Sequence, residues 1–438
     1  MRRQPASVGA LAAVLGAFAI GVGAFAGTGV AVRAAILVVG LLLLLFGGWA
    51  FMVARRPHPH IRRHAVIRLS IPEIEPRARA GEAFELPLGK SLVTVVVRPE
   101  SVTTEAATIV GGRAGEAVTS STHPPVLDDI VTFAGEVSGA KNSEVRLTIT
   151  EAWLRGYVLT EDEWWFIEPL RKFRLEAAFD EYVVYRTRDL RFKLEFGEDY
   201  KPRKVEGRAG GSGTDPPHRV NPIVPVAMVH DEQYNWQAGG RAYDNQRALI
   251  NEVNGLYRQV GCEFRISVFI WTVNWLTSTN AERMLDQVED AVRTLWTDLR
   301  LVANRRSRNT EVAHATTGKN LDGNTLGIAW QPGVYSLSQQ QLIWIGGGGL
   351  FGGPPNLAFQ NMMVAAHELG HNFNGAHEEA DEWCVAHFIW CWDNVRTVMW
   401  PTFYDDNVPR FSDGSRNASH NNAQRVSTNM TSGRNVNF

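Results

Sequence analysis

Cysteine is scarce in this sequence. Three Cys in 438 residues cannot build a disulfide scaffold. Charge of one sign is also missing. A formal net charge of −2 gives no basic footprint, so no nucleic-acid partner is implied. The glycine runs Gly346–Gly349 and Gly352-Gly353 are not followed by a Gly-Lys-Ser/Thr sequence. They read as a flexible loop and not as a phosphate cradle. Hydrophobic content of 45% is ample for large cores, and the length suits two domains and a tail.

Uncharged runs dominate the N-terminus. Val8–Ala26 follows Arg2-Arg3, and Val30–Ala54 is interrupted only by Arg33. The second is long enough to span a bilayer, so one or two transmembrane helices (8–26 and 30–54) and a membrane-attached chain are expected. Ala24-Phe25-Ala26 also fits a signal-peptide cleavage site, which would leave the second run as an anchor. Positive charge at both flanks puts the remainder of the chain in the cytoplasm by the positive-inside rule.

Residues 65–200 alternate strongly. Val93–Val97, Glu144–Ile149 and Leu190–Phe196 read as strands, with Gly111-Gly112 and Gly139 as turns, so a β-rich domain is expected. Residues 201–222 hold Lys201-Pro202-Arg203-Lys204, Gly210-Gly211-Ser212-Gly213 and Pro216-Pro217, a linker composition. From residue 223 strand and helix alternate. Ile223–His230 and Phe264–Val273 are strands, Ala242–Val260 and Ala281–Ala303 are helices, and Leu326–Trp330 is a short strand. The expected class is α/β (α+β), with a mostly parallel twisted sheet in 223–438.

The chemistry concentrates in His367-Glu368-Leu369-Gly370-His371-Asn372-Phe373-Asn374-Gly375-Ala376-His377. His367 and His371 leave one face of a helix one turn apart, where a tetrahedral zinc ion takes both. Glu368 sits beside the first of them, where it can reach a zinc-bound water without binding the metal. His377 reaches the same point only if the chain turns, and Asn374-Gly375 accepts the left-handed backbone of such a turn.

This stretch resembles the metzincin zinc-protease signature H-E-x-x-H-x-x-G-x-x-H. The resemblance implies His367, His371 and His377 as ligands of one Zn2+ and Glu368 as general base. Asn374 stands where the pattern has Gly, a variant elbow. Thr397-Val398-Met399-Trp400-Pro401 is similar to the Met-turn, which implies Met399 beneath the ligands; Pro401 in place of Tyr points to the reprolysin (adamalysin) type. His314–Trp330 is similar to the reprolysin segment leading to an antiparallel edge strand, which implies substrate contact at Gly327, Ile328 and Ala329. Phe133–Val137, Ser143–Ile149, Leu154–Leu159 and Trp164–Pro169 are similar to the reprolysin propeptide, so 65–200 is expected to be a propeptide-like domain contacting the protease domain. It has no Cys with which to occupy a zinc ion.

The implied activity is a membrane-anchored zinc endopeptidase acting on protein or peptide substrates. A membrane-anchored zinc-binding or adhesion protein is the alternative, and Glu368 speaks against it. Secreted members of the family favour an extracytoplasmic protease domain, against the charge pattern, and both sides stay open. Cys384 and Cys391 form either a small disulfide loop or two thiols.

Overall fold

The computed structural model describes residues 57–116, 119–122, 129, 131–160, 163–191, 194–195, 200–202, 223–258, 262–302, 310–323, 325–331, 333–342, 355–373 and 402–403. Residues Arg63–Phe438 form one compact unit, apart from Met1–Arg62.

In chain order the strands are β1 (Ala65–Arg68), β2 (Phe84–Leu88), β3 (Ser91–Pro99), β4 (Thr103–Arg113), β5 (Thr119–Thr122), β6 (Thr132–Val137), β7 (Glu144–Ile149), β8 (Leu154–Thr160), β9 (Glu163–Pro169), β10 (Glu181–Arg186), β11 (Leu194–Glu195) and β12 (Tyr200–Pro202). They continue as β13 (Ile223–His230), β14 (Glu263–Val273), β15 (Val312–Thr317), β16 (Gly327–Gln331), β17 (Tyr335–Gln339) and β18 (Thr402–Phe403). The helices are α1 (Ile71–Ala80), α2 (Glu232–Gln237), α3 (Ala242–Tyr257), α4 (Ala281–Val302) and α5 (Ala358–Asn372).

Eight strands make a wholly antiparallel sheet, in the order β1-β10-β9-β8-β7-β6-β3-β2. Alternate residues point to one face (Val95, Val97, Leu147, Val158, Ile167), where they form a core with Ile74 and Ala78 of α1. A second sheet has the order β12-β16-β17-β15-β13-β14-β4-β5. Its centre is parallel, with antiparallel pairs at β16–β17 and β4–β5. Helix α4 covers one face of it, packing Met284, Leu285, Val288, Val292 and Leu295 on Ala227, Val229, Ile270, Ala315 and Leu337.

Two expectations are corrected here. The α/β class with a mostly parallel sheet does not describe this chain: the described residues are mostly β, and one whole sheet is antiparallel. Strand–helix alternation after residue 223 says nothing of strands arriving from elsewhere, and β4, β5 and β12 all join the second sheet from before residue 223. The expected transmembrane helices and membrane location are also withdrawn. No helix among the described residues is long and apolar enough to cross a membrane. The longest, α4, carries Glu282, Arg283, Asp286, Glu289, Asp290 and Arg293. The runs 8–26 and 30–54 lie outside the described residues.

Gly111-Gly112 is not a turn but the end of β4. A Cβ on Gly112 would meet Leu295 Cδ2 at 2.5 Å, so the missing side chain lets α4 approach the strand. Helix α3 is buried on nearly every side, because it lies between the two sheets.

Two buried histidines make the fold acid-sensitive. His314 of β15 lies between Ser336 Oγ (2.8 Å from Nδ1) and Ser338 Oγ (2.9 Å from Nε2), and burial pushes it down to about 3. Burial also pushes His230 down to about 3, with Gln246 opposing. Both stay neutral in the fold while the unfolded chain takes up protons below the ordinary value of 6.5. Their stabilisation is therefore complete above that value and is lost as pH falls toward the folded value. Between pH 7 and pH 5 the two together should cost about 4 kcal/mol of unfolding free energy. Asp231 and Glu252, whose carboxyls burial raises, titrate with the opposite sign. Denaturant titrations at both pH values, repeated on His314→Gln, isolate the histidine share. The variant should lose about half of the pH dependence, and an unchanged slope would refute the assignment.

Candidate metal centre

Helix α5 carries the centre. Met362, Met363, Val364, Ala365, Ala366 and Leu369 favour or tolerate helix, and all of them are buried. His367, Glu368 and His371 are themselves fully buried. The two imidazoles stand one turn apart, at 89° to each other with ring centroids 4.6 Å apart. Their Nε2 atoms are 3.0 Å from each other.

That spacing suits a shared cation. Two lone pairs directed at one point repel, and a proton or a metal ion between them removes the repulsion. With zinc–nitrogen distances of about 2.0–2.1 Å, ligand nitrogens lie roughly 3–3.5 Å apart, so this pair fits two adjacent positions of a zinc site. Among the described residues no group of three or more His, Cys, Asp and Glu is placed to hold a metal. His377, the third expected ligand, lies outside the described residues, as do Asn374, Gly375, Met399, Cys384 and Cys391.

Glu368 is brought together with the expected substrate strand. A Cβ built on Gly327 of β16 would lie 2.4 Å from Glu368 Oε1 and 2.7 Å from its Cγ. The carboxylate therefore rests on the bare backbone of Gly327. Ile328 and Ala329 follow on β16, paired with Leu337 and Ser336 of β17. The other side of β16 is taken, because β12 pairs with it in parallel as Tyr200↔Ala329, Lys201↔Trp330 and Pro202↔Gln331. Nearby in the chain, Leu194-Glu195 of β11 pairs with Thr402-Phe403 of β18, just after the Met399–Pro401 stretch.

Several residues that fix this geometry carry no motif. Asn372 Nδ2 donates to the carbonyls of Trp330 (3.2 Å) and Tyr335 (2.9 Å), which clamps the end of α5 to the β16–β17 hairpin. Tyr257 of α3 donates its hydroxyl to the Ala366 carbonyl at 2.9 Å. At the other end, Leu357 N donates to Gln360 Oε1 at 2.7 Å. The Gln three residues after the N-cap was the one sequence signal available for this end.

A cavity of about 450 Å³, lined by Asp231, Glu232, Trp236, Thr272, Asn274 and Lys319, opens where β13 and β14 end. None of its lining residues belongs to the histidine centre.

Residues 221–412 match the family described as Reprolysin_5, Metallo-peptidase family M12. Among solved structures the chain is similar to "Crystal Structure of metalloproteinase-II from Bacteroides fragilis", at 10% identity and a TM-score of 0.38, over 79% of this chain and 90% of that one. It is also similar to "Structure of a chaperone-substrate complex", at 11% identity and a TM-score of 0.31. There the overlap is 49% of this chain and 35% of that one. Backbone overlaps this loose assign no function. The family match spans the histidine pair, its glutamate and the strand beneath them, so residues 221–412 are similar to the metzincin-like metallopeptidases of family M12.

Proposed function

We propose that the chain is a zinc-dependent endopeptidase of the reprolysin type, acting on extended protein or peptide substrates. The observation that carries this reading is the convergence of His367 and His371 Nε2 with the Glu368 carboxylate packed against Gly327. His367, His371 and His377 would hold the ion. Zinc, when bound, supplies a Lewis acid that polarises the scissile carbonyl and makes a water easier to deprotonate. Glu368 takes the proton from the attacking water and passes it to the leaving amine. The backbone of Gly327–Ala329 holds the substrate extended by strand pairing, with the reacting carbonyl over Glu368. No acyl-enzyme forms. The test is hydrolysis of a denatured general protein by the full chain, with and without a zinc chelator. Chelator-sensitive cleavage is expected; stoichiometric zinc without cleavage of any substrate would favour the binding-protein reading.

Segment 194–202 bears on regulation within the same reading. Its two short strands pair with β18 and with the substrate side of β16. A substrate strand and β12 compete for the same backbone groups, so the segment holds the chain in a slow state. Replacing Tyr200-Lys201-Pro202 by Gly-Ser-Gly should raise kcat/KM roughly tenfold or more, the scale of about 1.4 kcal/mol of lost competition. An unchanged rate in that variant would remove the segment from the site.

A further inference from the structure

Helix α5 begins at a residue that cannot cap it. Its N-cap is Leu357, whose side chain has no acceptor for the open N–H groups of the first turn. The acceptor comes from 190 residues earlier. Glu168 of β9, fully buried, accepts from Ala358 N at 2.9 Å through Oε1. The Tyr185 hydroxyl donates to the same oxygen at 2.6 Å, and Lys172 Nζ donates to Oε2 at 2.5 Å. A carboxylate at this end also suits the positive pole of the helix. Phe166, beside it on β9, meets Phe359 edge-on at 5.6 Å.

The same antiparallel sheet grips the rest of the catalytic half through buried polar contacts. Arg155 of β8 makes a two-pronged ion pair with Glu252 of α3, at 2.8 and 2.7 Å, and both are buried. Burial raises the Glu252 carboxyl, and Arg155, with Lys172 behind it, opposes this. Asn251 Nδ2 donates to the Leu147 carbonyl at 3.0 Å. A Cβ on Gly255 would meet Tyr157 Oη, so that hydroxyl sits directly on α3. Strand β4 covers the edge of β14 over Ile266–Val273. Removing this layer would strand a buried carboxylate, open a central strand edge and uncap the helix that bears the base.

We propose that Glu168 is a positioning residue for the catalytic helix, and that the layer Ala65–Arg186 stays with the active enzyme and is not a removable cover. This rests on the peptidase reading above. Activation then acts on the 194–202 segment while β1–β10 stay in place. Glu168 works through α5 and touches no reacting atom.

The first arm of the test inserts a recognition sequence for a specific protease at Gly210–Gly213 of the full chain and cuts there. The two pieces should co-elute without denaturant and keep chelator-sensitive hydrolysis at or above the uncut rate. A C-terminal piece that separates and hydrolyses as fast as the uncut chain overturns the proposal. The second arm uses variants. Glu168→Ala should lower kcat about 100-fold per zinc-loaded site while KM stays within about twofold, because the base shifts and the substrate strand does not. The double variant Glu168→Gln/Lys172→Met, which keeps an acceptor for Ala358 N–H and leaves no unpaired buried lysine, should recover to within about tenfold of wild type. Wild-type kcat in Glu168→Ala also overturns the proposal. Hydrogen exchange across 358–372, faster in Glu168→Ala, reads the helix without any hydrolysis. An inactive wild type with this exchange change refutes the peptidase reading and leaves the positioning role standing.

Discussion

Glu368→Ala should lower kcat/KM by about 10²–10⁴-fold, the usual worth of a positioned general base, while zinc content stays at the wild-type level. The two effects separate because different atoms carry them. The ion is held by imidazole nitrogens, and His367 and His371 converge without any help from the carboxylate. The titratable neighbours of Glu368 along α5 are His367 and His371, which the ion would occupy, and Asn361 and Asn372 are amides that do not take up a proton. Glu368→Gln keeps shape and packing against Gly327 but cannot take a proton, so it should be as slow as the alanine variant. Activity in Glu368→Gln near wild type would end the base assignment. Loss of zinc in either variant would mean that the carboxylate is a ligand, which is different chemistry.

The helix face that brings His367 and His371 together was legible because it is local. Four residues of spacing on a helix fix where two side chains point, whatever the rest of the chain does. The same holds for α4, whose apolar stripe at Leu285, Val288, Val292 and Leu295 is the face it buries. What the sequence hid is non-local. Nothing in Thr103–Arg113 marks it for the edge of β14, since a strand's pattern records that one face is buried and not which sheet buries it. Glu168 reads as one polar residue in an aromatic strand, and only the fold shows it lying under the first turn of α5. Helix α3 misleads in the same way. Its polar residues suggest a solvated face, yet Asn251, Glu252 and Asn254 are buried, each with a partner on another element. Gly111-Gly112 shows a local rule losing to packing: paired glycines favour turns, but here both lie in a strand and Gly112 makes room for Leu295.

Gly327→Ala should cost both activity and stability through a single methyl group. The added Cβ would stand 2.4 Å from Glu368 Oε1 and 2.7–2.8 Å from Cγ and Cδ, well inside contact distance. One side has to move. Strand β16 is held by its ladder with β17 and by the Asn372 donations to Trp330 and Tyr335. Helix α5 is held by the Tyr257 hydroxyl at Ala366 and by Glu168 at its start. The carboxylate is the softest part of the contact, so it yields, by about 1 Å. A displacement of that size costs roughly 100-fold in kcat, and zinc content should not change, because the carboxylate that yields is not one of the imidazoles that would hold the ion. Overpacking should also cost about 1–3 kcal/mol of stability. Stability carries the sharper test. If the collision with Glu368 is the cause, Gly327→Ala should destabilise the wild type but cost almost nothing in the Glu368→Ala background, a coupling of about 1–3 kcal/mol in the double-mutant cycle. Additive losses would show that the methyl strains the strand itself, and that Gly327 is there for its backbone and not for the base above it.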